Sequence, residues 1–456
     1  MVDNSKATIL SRFLKPVLFT IAEKKIPYCI CGNYNHLPYY TDNDVDIWTK
    51  KPKRVLQIIK YICIQQQLKI YLINSNATGT NIFIWTQAEN ESMMIHLDIL
   101  AECRWYGIFP LVKSEVIECN RKTYNTLYVA NETIDAAMHL MYPLSHFGVV
   151  IKKYYRDIKS ASIDDSFWNI IKNGWGNSFS NKIKPLVETG DWSGLEQVFA
   201  QNRKKLIWNS IRNARWPEFK SLFSFIFSNL QRLYKPAGLF IAFVGPDGCG
   251  KTTVQNSLEP FFKKGFTKGK INRFYWRPFL LPRIKAIFSR GKNTQFNDVD
   301  EPAARLELRK VNLCKRLLHC VKLIYYWVDY IIGRVKYQGA WSRGGVVCFD
   351  RYWDDLLVFP ERFGLNVPKC LVWALGIFVP KPDIVFYLHA EPEVLNGRKL
   401  ELPLDEMKAQ VDHYKNLSRL NNNYVVIDGD QSRDDVLSAV IQTCLKKMSK
   451  RYRQRS

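Results

Sequence analysis

Gly245-Pro-Asp-Gly-Cys-Gly250-Lys251-Thr252 is the segment that most constrains this chain. Its G-x-x-x-x-G-K-T spacing asks for a strand, a glycine-rich turn and a helix in that order. Leu239-Phe-Ile-Ala-Phe-Val244 ahead of it is a continuous apolar run, as a strand buried on both faces of a parallel sheet must be. Val254 to Lys264 behind it has helical spacing. Such a junction turns backbone N–H groups and the positive end of a helix toward an anion. Gly245, Gly248, Gly250 and Thr253 are expected to line the phosphates, Lys251 to reach the outer ones, and Thr252 to hold Mg²⁺.

The surroundings of this motif bound the rest. At 456 residues the chain is too long for one compact core. With 47% hydrophobic and 14% aromatic residues it is not a disordered polyelectrolyte. The formal charge is +24; residues 1–235 contribute +10 and the remainder +14, so no single tail accounts for it. Anionic partners fit that balance: nucleotides, nucleic acid or an acidic membrane surface. The 11 cysteines are scattered and include no C-x-x-C, which points to free thiols in a reducing cytoplasm. No segment approaches the 18–20 clean apolar residues of a membrane span. Leu317 to Ile332 is aromatic-rich but carries Lys322 and Asp329. It reads as a core helix, with peripheral membrane contact as the alternative.

Along the chain, apolar residues Ile9, Leu10, Phe13, Leu14, Val17, Leu18 and Ile21 predict an opening amphipathic helix. Strands are expected at Tyr28–Cys31, Val45–Trp48, Ile70–Ile73, Ile82–Thr86 and Met94–Leu100, with a helix from Pro52. The pattern turns mostly helical from Ile134 to about Leu230, and Pro236-Ala-Gly238 is a plausible hinge. Three domains follow: an α/β domain over 1–130, a helical connector over 131–235, and an α/β domain over 236–456 with a parallel sheet wrapped by helices.

A phosphate loop needs a second acid near its metal. Gly345-Val-Val-Cys-Phe349 is strand-like and ends in Asp350-Arg351-Tyr352, putting an acid at the sheet edge where such folds bind ligands. Asp350 is a candidate to steer the Mg²⁺ shell or accept the acceptor's proton, and Arg351 to clamp phosphate. Together with Pro382-Asp-Ile-Val-Phe-Tyr-Leu388, these motifs resemble the thymidylate kinase-like P-loop kinases over roughly residues 237–447. The resemblance implies ATP as phosphoryl donor, Mg²⁺ (or Mn²⁺) as cofactor and a small anionic acceptor. It implies that Asp247 and Arg277 contact the acceptor, that Arg398, followed by Lys399 and Glu401, sits in a lid over the phosphates, and that Val425–Asp430 is the last strand and adenine-side loop. Only Arg277-Pro278-Phe279 stands where bacterial thymidylate kinases carry a longer Arg-Glu-Pro-Gly-Gly signature, and Asn293–Leu308 reads as an insertion. Another nucleotide, a sugar or a glycan end therefore stays open as acceptor.

In the first half, Gly32-Asn33 is followed by Asp44-Val45-Asp46 and later by Asp98. Carboxylates two apart on a strand share a face, and a third from a neighbouring strand would complete a divalent-metal cage. Two metals held so can activate an attacking oxygen and stabilise leaving pyrophosphate. Gly32, Asp44, Asp46 and Asp98 resemble the nucleotidyltransferase fold over roughly residues 10–110, with 131–235 as its companion. Leu97–Gly107 and Lys152-Lys-Tyr-Tyr155 are similar to bacterial proteins that fuse such a domain to a thymidylate kinase-like one, some of which occur with surface-polysaccharide genes. Tyr154, Tyr155 and Trp168 read as helical core. The expected whole is a cytoplasmic kinase with a nucleotidyltransferase-like domain in front. A glycan-directed kinase and a nucleotide-sensing or nucleic-acid-binding protein are the alternatives.

Overall fold

The computed structural model describes residues 4–32, 34–41, 44–75, 79–88, 91–105, 108–213, 216–265, 271–282, 312–398 and 403–453. It divides into two compact units, Met1–Gln231 with Tyr452–Ser456, and Arg232–Arg451.

In the first unit, α1 (Asn4–Glu23) buries Leu10, Phe13, Leu14, Val17, Leu18 and Ile21 along one stripe. Then come β1 (Cys29–Cys31), β2 (Val45–Trp48) and α2 (Pro52–Gln65), whose proline occupies a first-turn position that needs no donor. Long strands β3 (Lys69–Ser75), β4 (Gly79–Ala88) and β5 (Glu91–Leu100) follow, then two short hairpins, β6 (Cys103–Trp105) with β7 (Phe109–Val112) and β8 (Arg121–Tyr124) with β9 (Leu127–Ala130), separated by α3 (Ser114–Cys119). The main sheet has seven strands in the order β3-β4-β5-β2-β1-β9-β8.

Strand alternation divides its side chains between two cores. Ile30, Ile47, Leu97 and Val129 pack with α1 and α2. Cys29, Cys31 and Trp48 face the other way. There they meet α4 (Glu132–Phe147), α5 (Tyr155–Ala161), α6 (Asp165–Trp175), α7 (Asn177–Thr189) and α8 (Trp192–Arg212) through Met141, Trp168, Trp175 and Phe199; α9 (Trp216–Tyr234) follows in the chain. α4 starts where the Asn131 side chain accepts from Ile134 N–H at 2.9 Å, and stops at Gly148, held at φ 76°. Trp168 is 1% exposed and Tyr155 stacks on Trp192, so both serve packing.

The second unit is built on five parallel strands: β10 (Leu239–Val244), β11 (Ile271–Tyr275), β12 (Val346–Asp350), β13 (Ile384–His389) and β14 (Tyr424–Asp428). Their order is β11-β12-β10-β13-β14. The chain after β10 runs to one side and the chain after β13 to the other. That reversal opens a crevice at the carboxyl edge, where ligands of such sheets bind. All six β10 residues are buried, the reason for their unbroken apolar run. The helix Leu313–Ser342 lies along the sheet with Leu323, Tyr326, Tyr330, Tyr337 and Trp341 buried, so the Leu317–Ile332 stretch is a core helix on one face. Among the described residues no helix is long and apolar enough to cross a membrane.

Gly238, in the approach to β10, donates to Trp341 O at 2.9 Å. A Cβ there would collide with the Gly345 carbonyl and sit 2.6 Å from Trp341 O. Gly238→Ala should therefore destabilise this unit by about 1–3 kcal/mol, read as a fall in urea midpoint without a change in slope.

Candidate functional site

The chain leaves β10 through glycines held where L side chains are strained: Gly245 at φ 140°, Gly248 at 84° and Gly250 at 88°. At Gly245 a Cβ would also come within 2.9 Å of Leu388 O. α10 (Lys251–Gly265) starts directly after this turn, carrying Lys251, Thr252 and Thr253 on its first residues. Lys251 is 7% exposed and donates from Nζ to the carbonyls of Gly245 (3.0 Å) and Pro246 (2.7 Å). Burial lowers its pKa.

Parallel pairing of β12 with β10 sets Asp350 beside Phe243 and brings its carboxylate to α10. Thr252 Oγ1 donates to Asp350 Oδ2 at 3.0 Å. Among the described residues, the other carboxylate oxygen, Oδ1, is buried with no hydrogen-bond partner. A hydroxyl beside a carboxylate with an orphaned oxygen suits a hard divalent cation such as Mg²⁺.

Arg351 follows with φ 70°. Its N–H donates to Phe243 O at 2.8 Å, and its guanidinium donates to Gly245 O (3.3 Å), to Asp355 Oδ1 (3.1 Å) and to Asp247. Asp355 also accepts from Tyr352 N–H and the Tyr414 hydroxyl. Arg362, in the turn Pro360–Phe363, takes the second oxygen of Asp247. No sequence motif singled out Arg362; it lies in an ordinary Pro-Glu-Arg-Phe-Gly turn, and only folding brings it to residue 247. Arg277 follows β11 and is sealed rather than presented. It is 2% exposed, pairs with the buried Asp329 at 3.2 Å, and lies over the rings of Phe279 (4.4 Å) and Tyr326 (4.9 Å). Arg398 closes the helix Pro392–Arg398; its side chain, Lys399, Glu401 and Asn293–Leu308 lie outside the described residues.

In the first unit Asp46 stands in register with Asp98 on the parallel strand β5. Burial, then the charges of Asp44, Asp98 and Asp135, push the Asp46 carboxyl well up. Among the described residues, the groups whose ligand atoms come within 4.8 Å of one another are Asp44, His96 and Asp98. His96 Nε2 lies 2.8 Å from Asp98 Oδ1, and its ring stacks on Phe83 at 4.0 Å. Asn81, opposite Asp98, donates to the same oxygen. The sequence reading therefore missed His96. Its signal was the same-face i, i+2 spacing to Asp98 in Ile95-His-Leu-Asp98. The Gly32 N–H donates to Asp135 on α4 at 3.2 Å.

With this geometry in hand, comparison with known proteins assigns part of the chain. It is similar to the thymidylate kinase of Geobacillus thermodenitrificans (strain NG80-2), 24% identical over 234 residues, covering 47% of this chain and 94% of that protein. The thymidylate kinase of Geobacillus sp. (strain WCH70) is 24% identical over 222 residues, 45% of this chain and 94% of its own. That of Thermosipho africanus (strain TCF52B) is 27% identical over 213 residues, 44% of this chain and 95% of its own. No family model matches the chain. About 45% of the protein is thus a thymidylate kinase-like region with a P-loop fold.

Asp135 titrates unusually. Burial, opposed by the Gly32 N–H and Lys122 and aided by Glu132 and Asp157, raises its pKa from 3.8 to about 7. The folded chain keeps a proton that the unfolded chain sheds. This group's contribution to stability is therefore full below pH ~4 and is lost as pH rises through about 7. Asp135→Asn keeps an acceptor for Gly32 and should flatten the fall in Tm between pH 4.5 and 7.5, measured by scanning calorimetry.

Proposed function

We propose that the C-terminal unit is an ATP-dependent kinase of the nucleoside monophosphate kinase kind, transferring the γ-phosphoryl group to a small anionic acceptor. The observation that carries this is the convergence, after β10 and β12, of Lys251, Thr252 and the half-satisfied Asp350 on one glycine loop. The thymidylate kinase relatives, similar over nearly their whole length, support the same chemistry. Residues 236–456 form the kinase domain, 131–235 a helical connector and 1–130 a nucleotidyltransferase-like domain.

Loop N–H groups of Gly245, Gly248, Gly250 and Thr253 orient the triphosphate. Lys251 exchanges its loop carbonyls for phosphate oxygens and neutralises charge that grows as the γ-phosphoryl departs. Thr252 and Asp350 would hold Mg²⁺, which supplies charge stabilisation on the phosphate oxygens. Arg351, fixed by Asp355, faces Asp247 from the acceptor side. Arg398, at the end of the helix Pro392–Arg398, would act as the lid arginine that closes over the phosphates.

Lys251→Ala should abolish ADP release from ATP and acceptor while the protein stays folded. Asp350→Asn should retain ATP binding, with transfer reduced ~10²-fold or more. Wild-type turnover in folded Lys251→Ala, or simple unfolding of Asp350→Asn, would remove these roles.

A second site is favoured by one observation, the approach of Asp44, His96 and Asp98. In our reading these residues, with Asp46, hold Mg²⁺ or Mn²⁺ in the nucleotidyltransferase-like domain. Asp44→Asn with Asp46→Asn relieves mutual repulsion and should slightly raise Tm in metal-free buffer. It should also erase the Tm increase that Mn²⁺ gives by binding the folded state. A full Mn²⁺ shift in that double variant, measured without nucleotide and against Lys251→Ala, would refute the metal site.

A further inference from the structure

We propose that α9 is a self-association surface, on which a second copy of this chain docks through its own α9 across a two-fold axis.

Trp216, Phe219, Phe223, Ile226, Phe227 and Leu230 carry the surface. All six belong to the first unit and precede β10 in the chain. Trp216, Phe223 and Leu230 recur every seven residues, and Phe219 and Ile226 stand three after the first two of them. That is the spacing of helices that pack side by side. At about 100° of turn per residue, the six fall within about 100° of arc and form one stripe. A helix of a water-soluble fold ordinarily turns such a stripe into its own core. On α9 these side chains are instead 43–77% exposed.

The helix is oriented by its other side. Leu222, Phe225 and Asn229, on the opposite half, are half-buried. Arg104 Nη1 donates to Ser221 Oγ at 3.0 Å, and the same guanidinium bonds Ile108 O at 2.7 Å and Glu102 at 2.6 Å. Turning α9 to hide its stripe would break the Arg104–Ser221 bond and bring Phe225 into water.

The area matches what a dimer needs. With about 150–250 Å² on each aromatic side chain, the stripe leaves roughly 700 Å² of mostly apolar surface in water. The largest patch on an ordinary monomer is about 300–600 Å². Two copies of the stripe come to roughly 1,400 Å², within the range buried by specific protein pairs.

Charge selects the partner. Ser221 to Leu230 reads Ser-Leu-Phe-Ser-Phe-Ile-Phe-Ser-Asn-Leu, with no ionisable group. Interface centres are depleted of charge in this way. Two copies can therefore meet here without burying an unpaired charge, although each chain carries a formal +24. A helix that lies on an acidic membrane carries Lys and Arg along its polar face. Between Phe219 and Gln231, Lys220 is the one cation. A two-fold contact asks only that the patch complement itself.

The test is sedimentation equilibrium across micromolar concentrations of the full-length protein. Wild type is compared with the double variant Phe223→Glu, Phe227→Glu and with the milder Phe223→Ser, Phe227→Ser. Flotation with vesicles of phosphatidylcholine and phosphatidylglycerol runs in parallel, and Tm confirms folding. Wild type should self-associate. The Glu pair should weaken that association ~100-fold or more, and the Ser pair by less. Tm of the dilute variants should match wild type, because the substituted residues are exposed. If the Glu pair fails to fold, the Ser pair decides. Two results would overturn the proposal: a wild type that stays monomeric, or association equal in wild type and in the folded variants. A monomeric wild type that floats with the vesicles, beside variants that do not, would assign the stripe to a lipid surface instead.

Discussion

Arg351 ties the carboxyl edge of the second unit's sheet together. Its φ of 70° is one that non-glycine residues seldom adopt. In this conformation its backbone bonds β10 at Phe243 O while its side chain reaches the glycine loop at Gly245 O. Between these points it gathers Asp247 and Asp355. A buried guanidinium with fewer partners would be strongly destabilising. The loop, the end of β12 and the Asp355 turn are therefore held as one set. Strain of this kind persists only where the surroundings over-determine it, and it concentrates at sites that must be pre-organised.

Beneath that edge lies an aromatic layer. Phe240, Phe349, Tyr330, Tyr337 and Tyr352 meet at ring separations of 5.0–6.5 Å, four of the seven pairs edge to face. Two of its tyrosine hydroxyls are used, Tyr352 bonding Pro380 O and Tyr330 bonding Trp276 O, while that of Tyr337 has no hydrogen-bond partner among the described residues; outside the layer Tyr414 bonds Asp355. Large rings supply apolar burial, while their hydroxyls satisfy backbone or carboxylate groups that burial would leave stranded. Phe349 and Tyr352 of this layer flank Asp350 and Arg351 in the chain, so the layer anchors the backbone on both sides of them.

The first unit solves a different electrostatic problem. Burial, and then the charges of Asp44, Asp98 and Asp135, make Asp46 costly to ionise. Two devices moderate this within the protein. Asn81 and His96 contact Asp98, and Gly32 N–H meets Asp135. Packing forces these polar groups together: the sheet residues beside Asp46, namely Cys31 and Trp48, belong to the same core as Trp168 and Trp175 of the following helices.

Much of this was legible in the linear order of residues, and the reason is local. Strand β10, the glycine turn and α10 depend on an apolar run, φ values that favour glycine, and helical spacing, all contiguous from Leu239 to Gly265. Asp350 and Arg351 were visible because they end a strand, and strand ends of a parallel sheet share one edge. Period-2 spacing likewise marked Asp44 and Asp46. What the sequence by itself determined, then, was each element and the residue types at its end. Tertiary structure alone decided the pairings. Arg362 reaches Asp247 across 115 positions and Asp329 seals Arg277 across 52. His96 joins Asp44 because β5 lies parallel to β2. Such contacts depend on sheet order and helix placement, which are set by the collective burial of two cores and leave no mark at the individual positions.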